Sequence, residues 1–457
     1  MKITRIISLI LVLAMIFTLF SCSIIEEDTK GGSFAGIGTP ETPAPPLEDG
    51  DEGATKDDAE ESDKNDTESD EKDEEEGEEE EKKEEISLPA GMITAGCWVD
   101  NDNYQLWIDL FSQKDEDHDE NGKFYNYTKP NSSWGFDSLK RVKVNVTCDG
   151  NAVAGATVEA FDLEGEKVFS AVTNAQGNAY IFTIEEEGSI TVLSGEGSAS
   201  VQFTKEERDL AVELDSCGEK LNVLEIMFVV DVTGSMGDEL EFLKAEIADV
   251  VSKIDANDSE TKIMLSLLFY RDSDDAVPFD FYEFVEVSTE EGMTIQQEAI
   301  NKQSANGGGD YPEAVDEALQ MAVDAQWSTG GTTKLIFHVL DAPSHQGNKY
   351  EERFLNAVLS AAEKGIRINP ILCSGSAELT EYTMRQAAIY TGGTFIFVTD
   401  DSGIGGSHHD PELPNVTVEL LNSMLVRLVK GYHTGTFEPP VYWKNDPNLS
   451  SDSNTKR

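Results

Sequence analysis

Basic residues are scarce in this chain of 457 residues: 34 Lys and Arg stand against 89 Asp and Glu, a formal net charge of −55. A surface of that balance has no cationic footprint for nucleic acid, and anionic lipid repels it. Cysteine is also rare, and its five positions (Cys22, Cys97, Cys148, Cys217 and Cys373) have none of the close spacing of a zinc site. Histidine is limited to six residues. Catalytic signatures are thin too. No Gly-x-Ser-x-Gly elbow occurs; the nearest approach, Thr233-Gly234-Ser235-Met236-Gly237, has Thr where the first Gly belongs. The apolar run at residues 6–20 is too short for a comfortable membrane span.

That run has a different use. Lys2 and Arg5 precede it, only Ser8 and Thr18 interrupt it, and Leu19-Phe20-Ser21-Cys22 follows, the pattern of a secretory signal. The tetrapeptide resembles a bacterial lipobox. The resemblance implies that Cys22 becomes the mature N-terminus and carries lipid, so that the protein is exported and anchored to the bacterial cell membrane or cell surface. Lipid attachment supplies the membrane affinity that charge cannot. Residues 23–88 then hold Pro40, Pro43, Pro45 and Pro46 and a long Asp and Glu run, with roughly a third of the net charge. Such a segment buries too little apolar surface to offset the entropy of ordering, which predicts a disordered acidic linker. At about 65 residues its flexible-chain span is about 45 Å, and self-repulsion extends it.

The most informative stretch lies near the middle. The apolar run at residues 223–230 ends in Asp231-Val232-Thr233-Gly234-Ser235, and helical apolar spacing follows over residues 239–254. A second run, residues 334–340, ends in Asp341. Between them Gly307-Gly308-Gly309-Asp310-Tyr311-Pro312-Glu313 forms a loop whose Pro312 is placed to open a helix over residues 313–324. Open α/β sheets put ligand sites beyond the carboxyl ends of their strands, so the three loops are expected to meet over one cation. Carboxylates and hydroxyls are hard oxygen donors that suit Mg²⁺ first, with Mn²⁺ or Ca²⁺ as alternatives.

The pattern resembles the von Willebrand factor A family over residues 221–433. The resemblance implies a metal-ion-dependent adhesion site, with Thr233 and Ser235 binding the cation directly and Asp231 and Asp341 acting through water. The second loop departs from the family, offering Asp310 or Ser304 where Thr is familiar; Asp310 is preferred. Strands at 262–270, 278–284, 367–373 and 393–399 and helices at 351–364, 378–390 and 416–429 support the same fold class. That class is α/β, a doubly wound, mostly parallel, Rossmann-like sheet. The strand at 278–284 follows its predecessor too closely for a helical crossover and is expected as an antiparallel edge.

Ahead of this domain, short alternating strands at 142–148, 152–161, 168–172 and 179–182, separated by Gly and Asn turns, predict a small all-β sandwich over residues 138–215. Val153-Ala154-Gly155-Ala156-Thr157-Val158 with Thr173-Asn174-Ala175-Gln176-Gly177 resembles carboxypeptidase-regulatory-like sandwiches, which implies a spacer or binding module. Tyr104, Trp107, Ile108 and Phe111 fall at helical spacing with Asp102 available as cap, expected to pack on the sandwich. Trp98, Trp107 and Trp134 read as core rather than as a carbohydrate platform. Asp117, Asp119, Asn121 and Gly122 imitate the start of a calcium loop, but Thr128 stands where its bidentate Glu belongs. Cys97 with Cys217 is the expected disulfide, both flanking the sandwich.

The expected order is therefore signal and lipobox (1–22), linker (23–88), aromatic-rich segment (89–137), sandwich (138–216), A-type domain (217–434) and C-terminal tail (435–457). The expected function is non-enzymatic: adhesion or protein binding in which a partner carboxylate completes the cation's shell. The alternatives are a metal-dependent hydrolase using Asp231, Asp341 and His345, and a structural envelope protein with no metal. His408 and His409 lie on a predicted loop at the same sheet edge and are read as loop histidines with solvent or backbone partners.

Overall fold

The computed structural model describes residues 90–115, 120–257, 260–309 and 311–449. Cys22, the linker, Asp117, Asp119 and Asp310 lie outside the described residues. The chain runs through β1 (Thr94–Trp98) and a short helix α1 (Tyr104–Asp109), then β2 (Arg141–Cys148), β3 (Asn151–Ala152), β4 (Thr157–Phe161), β5 (Lys167–Val172), β6 (Asn178–Phe182), β7 (Gly188–Ser194), β8 (Gly197–Phe203) and β9 (Asp209–Leu214). There follow β10 (Val223–Asp231), α2 (Leu240–Asn257), β11 (Lys262–Tyr270), β12 (Phe279–Glu286), α3 (Glu290–Asn301), α4 (Val315–Val323) and β13 (Thr333–Leu340). The last elements are α5 (Asn348–Lys364), β14 (Ile366–Leu372), α6 (Glu378–Thr391), β15 (Phe395–Val398), β16 (Glu419–Leu420) and α7 (Leu421–Thr434).

Strands β2 to β9 form two four-stranded sheets, β3-β2-β6 with β9 on β2, and β5-β4-β7-β8. Their alternation is that of half-buried strands: Val142, Val144 and Val146 of β2 share a core with Val158, Ala160, Ile190 and Val192 of the second sheet. Strand β9 runs parallel to β2, with Leu214 in register with Cys148. Cys217, three residues further on, therefore reaches Cys148, and these two form the disulfide, Cα atoms 6.3 Å apart. The expected Cys97–Cys217 bond is overturned. Cys97 lies on β1 in another sheet, where its Sγ accepts a hydrogen bond from Arg427.

The large sheet has the order β12-β11-β10-β13-β14-β15-β1-β16. Strands β11, β10, β13, β14 and β15 are parallel, and β12 is the antiparallel edge that its short connection requires. Helices on both faces explain why the parallel strands read as unbroken apolar runs. Ile226, Phe228 and Val230 pack with Leu243, Ile247 and Leu425 of α2 and α7. Met227 and Val229 face the other side, with Leu319 of α4 and Val358 of α5. The doubly wound α/β class follows directly from this two-sided burial.

The aromatic-rich segment departs from its expected place. Instead of packing only on the sandwich, it contributes β1 to the large sheet, antiparallel to both β15 and β16. Phe111, Phe124 and Tyr127 then cover Tyr382 of α6, and Trp134 and Phe136 meet Phe354 of α5. Trp107 and Trp134 are thus core. Its ties to the sandwich are fewer: Tyr104 Oη and Trp107 Nε1 donate to Ser138, and Arg141 lies over the Tyr104 ring. Asp102 is not the cap of α1; Asn103 holds that position and donates its amide to Val99 O instead. The last helix starts later than expected because Glu419 and Leu420 are drawn into pairing with β1.

Candidate metal centre

Strand β10 delivers Asp231 to the carboxyl end of the sheet with no exposed surface, and the chain then turns sharply into a 3₁₀ segment, Gly234–Asp238. Thr233 is responsible for the turn. Its backbone N–H and its Oγ1 both donate to Asp231 Oδ1, at 2.9 and 2.7 Å. Thr233 Oγ1 in turn lies 3.1 Å from Ser235 Oγ. The three side chains form a stair from the buried Asp231, through Thr233, to the exposed Ser235. Asp231 Oδ2 has no hydrogen-bond partner among the described residues.

The glycine loop is laid along this turn. Asn306 N donates to Val232 O, and Gly234 N donates to Gly307 O. Gly308 has φ +94°, and a Cβ on it would fall 2.7 Å from Glu313 Oε1 and 3.2 Å from Thr233 Cβ, so this position needs glycine for conformation and for space. Asp310 lies outside the described residues. Ser304, the alternative on this loop, is exposed and holds the Asn306 amide through its Oγ.

Asp341 follows β13 and is buried. Burial, then the Asp341 charge, pushes the Asp231 carboxyl up to about 7, against the opposing pull of the Thr233 hydrogen bonds and Arg271. A further acid, Glu313, joins them. Glu313 was expected to begin a helix, but its N–H donates to Pro343 O and it bridges to Ser344, so the helix starts only at Val315. Its side chain turns inward. Burial, then the charges of Asp231, Asp272, Asp341 and Asp275, pushes it up to about 9, and its Oε2 has no hydrogen-bond partner among the described residues. Its place directly after Tyr311-Pro312 on the glycine loop was the available signal.

The neighbouring cation does not neutralise this acidity. Arg271 spends its guanidinium on backbone carbonyls of Asn306, Val277 and Ser304. His345 Nε2 lies 2.9 Å from Asp272 Oδ1, at the rim of the carboxylate group rather than on Asp231 or Asp341. His408 and His409 have carboxylate partners, contrary to expectation. His408 lies between Glu239 and Asp400, and His409 bonds Glu381, so the pair diverges. Among the described residues, no three His, Cys, Asp or Glu side chains close up as a metal cage. A cation here would rest on the Thr233 and Ser235 hydroxyls, with carboxylates set behind them. That donor set is all oxygen, and the buried, mutually repelling carboxylates behind it are those a divalent cation would relieve.

Residues 225–400 match the family model of the von Willebrand factor A domain, and this match supports an A domain in that part of the chain. The alpha-protein kinase vwkA of Dictyostelium discoideum is 26% identical over 194 residues, 42% of this chain. The chain covers only 29% of that relative's length. Among solved structures, a von Willebrand factor type A protein from Catenulispora acidiphila has TM-score 0.30 at 13% identity, over 63% of this chain and 50% of that one. The pilus adhesin SpaC of Lactobacillus rhamnosus GG has TM-score 0.33 at 9% identity, over 54% of this chain and 32% of that one. BatB of Bacteroides thetaiotaomicron has TM-score 0.29 at 16% identity, over 38% of this chain and 89% of that one.

Proposed function

We propose that this chain is an exported, lipid-anchored surface protein whose A domain holds a divalent cation, Mg²⁺ before Mn²⁺ or Ca²⁺, and binds protein partners through it. The observation that carries the reading is the buried Asp231 Oδ2, without a hydrogen-bond partner among the described residues, beneath the Thr233 and Ser235 hydroxyls, where burial and then the Asp341 charge raise the pKa of Asp231, and burial and then the Asp231 charge raise that of Glu313. Thr233 and Ser235 would ligate the cation directly, Asp231 and Asp341 would act through water, and Asp310 is the proposed second-loop ligand. When bound, the cation supplies a Lewis-acidic position that a partner's carboxylate can fill. Domains of this family are in general binding modules rather than catalysts, which supports a protein-binding role.

The test is direct. The purified full chain is titrated with Mg²⁺, Mn²⁺ and Ca²⁺ by calorimetry and then offered an array of peptides with and without Asp or Glu. Cation binding, with peptide capture that needs both a carboxylate and the cation, is the expected result. Capture unaffected by chelator rejects the mechanism.

The anchor is a separate proposal, resting on Leu19-Phe20-Ser21-Cys22. No helix among the described residues is long and apolar enough to cross a membrane. Cys22→Ser is expected to abolish incorporation of labelled fatty acid in bacterial cells and to release the protein from membranes. An unchanged lipid label in that variant rejects it.

A further inference from the structure

The far end of the sheet, where the parallel strands begin, carries a feature of the opposite sign. A cavity of about 380 Å³ opens there between the two sheets of the sandwich region and the A domain. In a chain of net charge −55, four cations line it: Lys220, Lys334, Lys364 and Arg367. They arrive from different elements. Lys220 precedes β10, Lys334 opens β13, Lys364 ends α5, and Arg367 is at the start of β14.

Their partners are mostly backbone carbonyls. Arg367, 8% exposed, donates to Gly365 O and Val172 O. Lys334, 7% exposed, donates to Lys364 O, and Lys220 donates to His433 O. Only Lys364 has a carboxylate ion pair among the described residues, with Asp324. Of the nearby acids, Glu363 holds Lys167, and Glu225 accepts from Ser328 N and Thr332 Oγ1 while its charge supports Lys334 only against the larger effect of burial. Burial lowers the pKa of Lys220, Lys334 and Arg367, the direction for cations without a full counter-charge. Helix C-terminal carbonyls supply only partial negative charge. A lysine has three donors and an arginine five, more than their named contacts among the described residues use.

The walls meet closely at one point, and the size suits a small molecule. A Cβ on Gly155, at φ +78°, would fall 2.9 Å from Gly331 Cα, so the sandwich region and the A domain meet there backbone to backbone. Small-molecule sites fall at about 300–1,000 Å³ and mix a few convergent polar groups with apolar surface, here supplied by Trp327 and Val172. A guanidinium fork engages two oxygens of an oxyanion at once, while ammonium groups act as point charges on the rest. We propose that this cleft binds a small organic molecule bearing a tetrahedral oxyanion, a phosphate or sulfate ester. The acidity of the whole chain does not prevent this, because charges beyond about 8 Å are largely screened at physiological salt.

The full chain is titrated by calorimetry at constant physiological salt with glucose 6-phosphate, glucose 6-sulfate, inorganic phosphate and citrate. Binding of one or both esters, weakened at least tenfold by Lys334→Gln and by Arg367→Gln, is expected, and the preferred ester identifies the source. Should Arg367→Gln fail to fold, Lys220→Gln and Lys364→Gln decide in its place. Absence of ester binding, affinity unchanged in the variants, or tighter binding of citrate than of either ester overturns the proposal.

Discussion

The Asp231→Ala, Ser235→Ala double variant is expected to lose more than 100-fold in Mg²⁺ and Mn²⁺ affinity while keeping its fold. Ser235 is the exposed hydroxyl of the stair, and its removal takes away a direct oxygen donor. Asp231 works from behind: it holds both the N–H and the Oγ1 of Thr233, so its removal frees the hydroxyl that should face the cation. Loss of such an orienting group typically costs roughly 10- to 100-fold in metal affinity, and the lost ligand adds to that. The cation-free fold should tolerate the change. Asp231 is a buried carboxyl group beside the Asp341 charge, and its own charge bears on Glu313, so removing it relieves repulsion on both. Calorimetry measures the affinity, and thermal melts in chelator measure the fold. Equal cation binding in the double variant and the unaltered chain places the site elsewhere; a collapsed melt in chelator reduces Asp231 to a structural role.

The first loop of this candidate site was legible because its chemistry is local. Asp231, Thr233 and Ser235 lie within five residues, and the apolar run before them could only be a strand buried on both faces. Glu313 was not legible, because a Glu after Pro reads as the first residue of a helix. It took the hydrogen bond from Glu313 N to Pro343 O, across a loop remote in sequence, to turn its side chain inward. Strand β1 escaped for the same reason. Thr94-Ala95-Gly96-Cys97-Trp98 has no strong alternation, and its partners, Phe395 to Val398, stand far along the chain. Gly96 is explained only there: a Cβ would fall 2.4 Å from the Phe397 ring. The disulfide required the parallel register of β2 and β9, which periodicity does not encode.

Because β1 belongs to the large sheet, the fastening of the segment that carries it bears directly on the stability of that sheet. Arg385→Met is therefore expected to destabilise the protein by about 3–5 kcal/mol, the usual result of removing one partner from a buried ion pair. Arg385 of α6 is 1% exposed and donates from Nε and Nη2 to Asp100 at 3.0 and 2.5 Å, and from Nη1 to Glu381 at 2.8 Å. Its guanidinium also lies over Trp107, Phe124 and Phe395, so it joins the charge of the incoming segment to its aromatic core. Glu381 keeps Lys123 and His409 when Arg385 is lost. The Asp100 carboxylate keeps only the Trp98 indole among the described residues, and most of the cost falls on that buried group. The companion variant Arg385→Met, Asp100→Asn should recover part of the loss, since no uncompensated charge then remains at residue 100. Urea unfolding of the single and double variants measures both quantities. If the single variant costs under about 1 kcal/mol, the pair behaves as a surface salt bridge, and β1 is held by its backbone ladder and by Glu246, whose carboxylate accepts from Gly91, Met92 and Ile93.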